Sequence, residues 1–173
     1  MKALVVIVAC TLAACAPPPG ALWRANVHAL STGQSTEDQI STAIGSRPVS
    51  IERTDNELGH FARMTYVVGD MSNGSEGRQI IVEVRDGKYN GYRYMSTFNA
   101  EKQSARPSKT YAFVPGKTTK ADVRAAVELP TAVVRCPSTL VSKCIDDTEA
   151  WVWDYGKEHS VAAAFDGAGV VRQ

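Results

Sequence analysis

Two short segments of the chain share one plan of apolar and polar positions. They are residues 33–48 (GQSTEDQISTAIGSRP) and residues 116–130 (GKTTKADVRAAVELP). In both, apolar residues are spaced i, i+3, i+4, which is typical of a helix with one apolar face. Thr36 and Thr119 stand where a side-chain oxygen can cap the first turn, and a proline closes each segment. Each segment predicts a short helix that must pack on another surface, because so short a helix is unstable alone in water.

Stretches with β-strand character follow each predicted helix. HFARMTYVVGD and RQIIVEVRDGKYNGYRYMSTF come after the first helix, and AVVRC, EAWVWDY and HSVAAAFDGAGVVRQ come after the second. They are rich in β-branched and aromatic residues, and Asp86-Gly87 and Asp166-Gly167 are hairpin signals. The sequence therefore predicts an α+β fold of two tandem units. Each unit is a short helical segment packed on a roughly three- to four-stranded antiparallel sheet.

Trp151, Trp153 and Tyr155 alternate along one predicted strand, so their side chains point in one direction. Aromatic residues dominate the energetics of many interfaces, which makes these three a candidate binding face. Packing of the same side chains beneath the second helix is the alternative.

The N-terminus reads as an export signal. Met1-Lys2 is followed by the apolar residues 3–14, which are fewer than the about 20 needed to span a bilayer as a helix. The stretch LAAC, ending at Cys15, resembles the lipobox of bacterial lipoproteins. The resemblance implies cleavage before Cys15 and acylation of that residue, which would anchor the chain in a membrane. An ordinary signal, with Cys15 in a disulfide, is the alternative.

Three prolines follow the predicted anchor in the stretch APPPG, and such a run favours an extended spacer. Ala16, rather than an aspartate, comes directly after Cys15. By resemblance to lipoproteins of Gram-negative bacteria, this implies the outer membrane, with the folded region facing the periplasm.

These features divide the chain into five parts. We expect a signal peptide at 1–14, a lipid anchor and proline-rich tether at 15–30, a first repeat at 31–98, a polar linker at 99–109 and a second repeat at 110–173.

Two cysteines remain once Cys10 leaves with the signal and Cys15 carries lipid. Because export places Cys136 and Cys144 in an oxidising compartment, we expect a disulfide between them. A zinc site is the rival, but the two cysteines lack the spacing of metal ligands and have no second close pair.

The order of glycine, threonine pair, short helix, proline, aromatic strand and FDGAGVV resembles the BamE (SmpA/OmlA) family of outer-membrane assembly lipoproteins. Two such units in tandem resemble the β-lactamase inhibitor protein, which likewise has a disulfide after the helix. The first resemblance implies a protein partner in the envelope, and the second implies an inhibitor of a hydrolase.

Motifs of catalysis are absent from the sequence. It contains no G-x-S-x-G nucleophile turn and no phosphate-binding glycine loop. His28, His60 and His159 are far apart in sequence and are interpreted as surface or packing residues. The acidic run at 146–149 beside Cys144 is interpreted as a solvated loop, with weak cation binding as the alternative.

Charge adds little to this picture, because 19 Lys and Arg against 18 Asp and Glu give a formal net charge of +1. That balance does not favour nucleic acid. We expect no enzyme activity, cofactor, metal or small-molecule substrate. The predicted function is a protein-binding module in outer-membrane protein assembly or envelope maintenance. An envelope-tethered hydrolase inhibitor is the alternative, and a structural envelope lipoprotein without a fixed partner is a third hypothesis.

Overall fold

The computed structural model describes residues 23–71, 75–98, 113–141, 144–145, 148–154 and 160–172. Within these ranges the helices are α1 (Trp23–His28), α2 (Glu37–Ile44) and α3 (Lys120–Ala126). The strands are β1 (Ser50–Asn56), β2 (Gly59–Gly69), β3 (Gly77–Arg85), β4 (Lys88–Ser96), β5 (Ala132–Arg135), β6 (Glu149–Asp154) and β7 (Ser160–Phe165). The predicted signal, Cys15 and the linker at 99–109 lie outside the described residues.

All seven strands form one antiparallel sheet in the order β1-β2-β3-β4-β5-β6-β7. The prediction of two tandem units, each with its own three- to four-stranded sheet, is therefore wrong. The two halves join where β4 pairs with β5, through Gly91↔Val134, Tyr92↔Val133 and Arg93↔Ala132. An unpaired strand edge exposes backbone donors and acceptors, and this pairing satisfies them on both strands.

The predicted helix starts are present in both halves. The Thr36 side chain accepts a hydrogen bond from the Gln39 backbone N–H, and the Gln39 side chain accepts one from the Thr36 N–H. Thr119 and Asp122 form the same reciprocal pair at the start of α3. Each pair satisfies two of the amide groups that the first turn of a helix leaves unbonded.

The turn before each helix is attached to the sheet in the same way. Tyr89 accepts a hydrogen bond from Gly33 N–H and donates its own N–H to Ser35 O, both at 2.7 Å. In the second half, Gly116 N–H donates to Val171 O at 2.8 Å. The local repeat is therefore retained within one continuous sheet.

Helix α1 falls in the segment predicted to be a tether. It is held by tertiary contacts, since Val27 is fully buried and Arg24 Nε donates to Pro130 O at 2.9 Å. This hydrogen bond links the first half of the chain to the second. Among the described residues, no helix is both long enough and apolar enough to cross a membrane.

One hydrophobic core lies between the helices and one face of the sheet. Its larger members come from all three helices and from β2 to β7: Val27, Ile40, Ile44, Met64, Tyr66, Ile80, Val82, Val84, Tyr89, Tyr92, Tyr94, Val123, Val133, Trp151, Trp153 and Phe165. Because both halves contribute to the same cluster, the two predicted units share a single core.

Candidate functional site

The structure places Trp151 and Trp153 in the core, with each residue 1% exposed. Their alternation along β6 directs both rings toward the helices, which is the packing alternative noted above. Trp153 Nε1 donates to Glu128 O at 2.8 Å. Tyr155, the third residue of the candidate binding face, lies outside the described residues.

The remaining predicted site residues fall into two groups. Cys136 and Cys144 form a disulfide with a Cα–Cα distance of 5.5 Å. Cys15, His159 and the acidic residues at 146–147 lie outside the described residues. Within the described ranges, no three His, Cys, Asp or Glu side chains are grouped so that they could hold a metal ion.

A cleft of about 350 Å³ opens between the end of α1 and the start of α3. It is lined by residues from both halves of the chain: His28, Ala29, Leu30, Ser31, Thr32, Tyr89, Lys120, Arg124, Val133, Glu149 and Trp151. A second cavity of about 300 Å³ shares His28, Arg124 and Trp151 with it. These three shared residues therefore lie where the two cavities meet.

Arg124 and His28 both pack on Trp151. The guanidinium carbon of Arg124 lies 5.3 Å from the centroid of the indole ring, within the range of a cation–π contact. The His28 ring meets the same indole edge-on, with centroids 5.0 Å apart and an interplanar angle of 72°. The buried indole thus fixes the positions of one cationic and one polar side chain at the cleft.

Glu149 connects three parts of the cleft wall. Its carboxylate accepts hydrogen bonds from the Thr32 hydroxyl at 2.6 Å and from Trp151 Nε1 at 2.7 Å, and Lys120 Nζ lies 3.0 Å away. Burial raises the pKa of Glu149, but the hydrogen bonds from these three donors outweigh it, so the pKa lies below its usual value. Glu149 is therefore ionised at neutral pH and holds the loop after α1, helix α3 and β6 together.

His28 is neutral at physiological pH. Burial lowers its pKa to about 4, and the positive charges of Arg124, Arg24 and Lys120 act in the same direction, against the opposing charge of Glu149. Both ring nitrogens are buried and have no hydrogen-bond partner among the described residues. The neutral ring therefore offers one donor and one acceptor that the described part of the chain does not use.

The disulfide loop is held against the opposite face of the sheet by a buried carboxylate. Glu83 of β3 is fully buried and accepts hydrogen bonds from Asn90 Nδ2 at 2.7 Å and from the Thr139 N–H at 2.9 Å. The Thr139 hydroxyl also donates to Glu83. Arg63 donates to Thr139 Oγ1 and to Thr139 O, at 2.9 and 2.7 Å. This network fixes the loop that Cys136 and Cys144 close.

Sequence reasoning missed most of the residues that line the cleft. Lys120 and Arg124 read as the polar side of a short helix, and Glu149 read as part of a solvated acidic loop. One signal was available, because positions 120 and 124 are one helical turn apart and must share a face of α3. Nothing local indicates that this face lies over Trp151.

Comparison of the chain with protein families, curated proteins and solved structures finds no match.

Proposed function

We propose that this chain is a non-catalytic binding module of the bacterial envelope. It is anchored in the outer membrane by lipid on Cys15, faces the periplasm, and binds a protein partner in outer-membrane protein assembly or envelope maintenance. The LAAC stretch and the resemblance of the helix segments to the BamE family support this proposal. The Cys136–Cys144 disulfide supports export, because such bonds persist in oxidising compartments.

The observation that carries a binding role is the cleft where Arg124 lies on Trp151 beside His28. Binding energy in interfaces concentrates on tryptophan, tyrosine and arginine side chains held in well-packed surroundings. Here the indole is held by the core and by its hydrogen bond to Glu149, so little ordering is needed when a partner binds.

The state of the polar groups in the cleft supports binding rather than catalysis. A nucleophilic mechanism needs a base within hydrogen-bond reach of its nucleophile. No hydroxyl or thiol among the described residues bonds to His28. Glu149, the carboxylate of the cleft, is kept ionised by Thr32, Trp151 and Lys120, which makes it a poor proton donor.

Inhibition of a hydrolase is the second candidate function. Besides the tandem resemblance to the β-lactamase inhibitor protein, the disulfide loop supports it, because Glu83 and Arg63 hold Thr139 in a fixed position. A loop already fixed in its bound shape loses little conformational freedom on binding, which favours a tight inhibitor.

Crosslinking and affinity capture from intact envelopes would test the proposed function. The baits are tagged wild type, Cys15→Ala and Arg124→Ala, with Arg47→Ala as the matched control because Arg47 is exposed and does not line the cleft. We expect wild type and Arg47→Ala to capture the same envelope protein, with a clear loss for the other two variants.

Two outcomes would contradict the proposal. Retention of Cys15→Ala in the membrane fraction would exclude anchoring through that residue. Capture of a soluble hydrolase by wild type and Cys15→Ala alike, with inhibition of its activity, would favour the inhibitor function instead.

A further inference from the structure

The positive charges of the cleft are only partly balanced by its one carboxylate. Lys120 and Arg124 lie one turn apart on α3 and both line the cleft. Glu149 is occupied by Lys120, Thr32 and Trp151. Among the described residues, no carboxylate lies within ion-pair distance of Arg124, whose guanidinium is exposed above the indole.

The guanidinium is placed to form a two-point contact with a planar anion. Its stacking on Trp151 limits its orientation, while the N–H groups around its rim stay available. Arginine matches a carboxylate with two parallel hydrogen bonds, and a preorganised guanidinium loses less side-chain freedom in doing so. The low pKa of His28 fits an excess of positive charge here, since Arg124, Arg24 and Lys120 together oppose its protonation.

The surroundings of Arg124 are apolar as well as cationic. Leu30 and Val133 line the larger cavity beside the indole, and Val127, Leu129 and Pro130 line the smaller cavity on the other side. Volumes of about 350 and 300 Å³ suit a small ligand or the end of a peptide. An inorganic anion would fill little of this space and would leave the apolar walls unused.

We propose that the cleft binds a carboxylate that has an apolar group next to it, with Arg124 contacting the carboxylate and the walls around Trp151 contacting the apolar group. This inference rests on the cleft being the binding site proposed above. Two sources offer such chemistry: the C-terminus of a partner protein that ends in an apolar residue, and a free carboxylic acid of similar size.

The test is a titration of the full-length chain in detergent micelles, followed through the indole N–H signal of Trp151 by nuclear magnetic resonance. The probes are N-acetylleucine, its neutral analogue N-acetylleucinamide, inorganic phosphate, and a tripeptide that ends in leucine with a free carboxylate. The variants are Arg124→Gln and the exposed control Arg47→Gln.

We expect N-acetylleucine to shift the Trp151 signal saturably and the amide to bind at least tenfold more weakly. Arg124→Gln should weaken the acid at least tenfold, while Arg47→Gln leaves its affinity unchanged. Stronger binding of the tripeptide assigns the carboxylate to a protein C-terminus, and stronger binding of N-acetylleucine assigns it to a free acid.

Equal affinity for acid and amide, no effect of Arg124→Gln, or a preference for phosphate would each overturn the inference. The unfolding midpoint of Arg124→Gln, measured alongside, shows whether a loss of binding reflects the site or the fold. The titration needs no envelope partner. It can therefore fail while the capture experiment succeeds through another surface, and the two proposals are tested separately.

Discussion

Gly91 of β4 lies opposite Val134 of β5, and no side chain fits between the two strands at this position. A Cβ atom on residue 91 would stand 2.1 Å from Val133 O and 2.6 Å from Val134 Cα. Both are backbone atoms of the paired strand, so neither can move aside alone. The absence of a side chain at Gly91 is therefore a condition for joining the two halves of the sheet.

Replacing this glycine should weaken the junction between β4 and β5. We expect Gly91→Ala to lower the free energy of unfolding by at least about 2 kcal/mol, because a methyl group would force two paired backbones apart. Chemical denaturation followed by circular dichroism measures the loss. Gly167→Ala is the matched control, since nothing lies within 4 Å of a Cβ there, and it should change stability by less than about 0.5 kcal/mol. Equal effects of the two substitutions would contradict the role of Gly91.

The buried carboxylate of Glu83 should contribute strongly to stability. Glu83→Gln replaces an acceptor oxygen with an amide that cannot accept from Thr139, so we expect a loss of about 2–3 kcal/mol in unfolding free energy. Urea titration of the variant provides the measurement. Glu52→Gln, on the exposed strand β1, serves as the control and should have little effect. If Thr139→Val added its full cost to that of Glu83→Gln, the two residues would not be coupled as the structure indicates.

The disulfide closes a short loop, so its removal should cost moderate stability. On the chain-entropy account, we expect Cys136→Ser with Cys144→Ser to lower the unfolding free energy by about 2–3 kcal/mol. Wild type in a reducing agent should show the same decrease in thermal midpoint. The double variant should be insensitive to the reductant, and a further decrease in that variant would show that the reductant acts elsewhere.

Burial of neutral His28 should make the fold less stable in mild acid. Its pKa in the folded chain is about 4, below the ordinary value of 6.5, so the unfolded chain binds the extra proton first as pH falls. Stability is therefore full above pH about 6.5 and decreases between about 6.5 and 4. Thermal midpoints between pH about 7.5 and 5 measure this decrease before the carboxylates titrate.

Phenylalanine at position 28 keeps the edge contact with Trp151 but cannot titrate, so His28→Phe should flatten this pH dependence. His60 supplies the control. A hydrogen bond and the charge of Asp55 raise the pKa of this exposed ring, so it stabilises at low pH and the effect is lost as pH rises. His60→Gln should therefore leave the acid-induced decrease in place, and a decrease unchanged in His28→Phe would assign it to another group.

Local features of this fold could be predicted because neighbouring residues produce them. Thr36 and Thr119 cap helices since their hydroxyls reach amides three positions ahead, and Asp86-Gly87 forms the turn between β3 and β4. Elements without a local signal were missed. Strand β1 is exposed along its whole length and so shows no apolar alternation, and α1 depends on burial of Val27 rather than on a cap.

What residue order could not reveal was which surfaces of the chain meet. Hairpins form between neighbours in sequence, but the pairing of β4 with β5 joins strands separated by a long stretch of chain, and Gly91 shows its purpose only when Val133 lies against it. The cleft has the same origin. The spacing of α3 puts Lys120 and Arg124 on one face, yet their function depends on Trp151 and Glu149, which lie beneath that face through packing of the common core. Neighbour-to-neighbour preferences set the elements, and burial of a shared apolar surface set their arrangement.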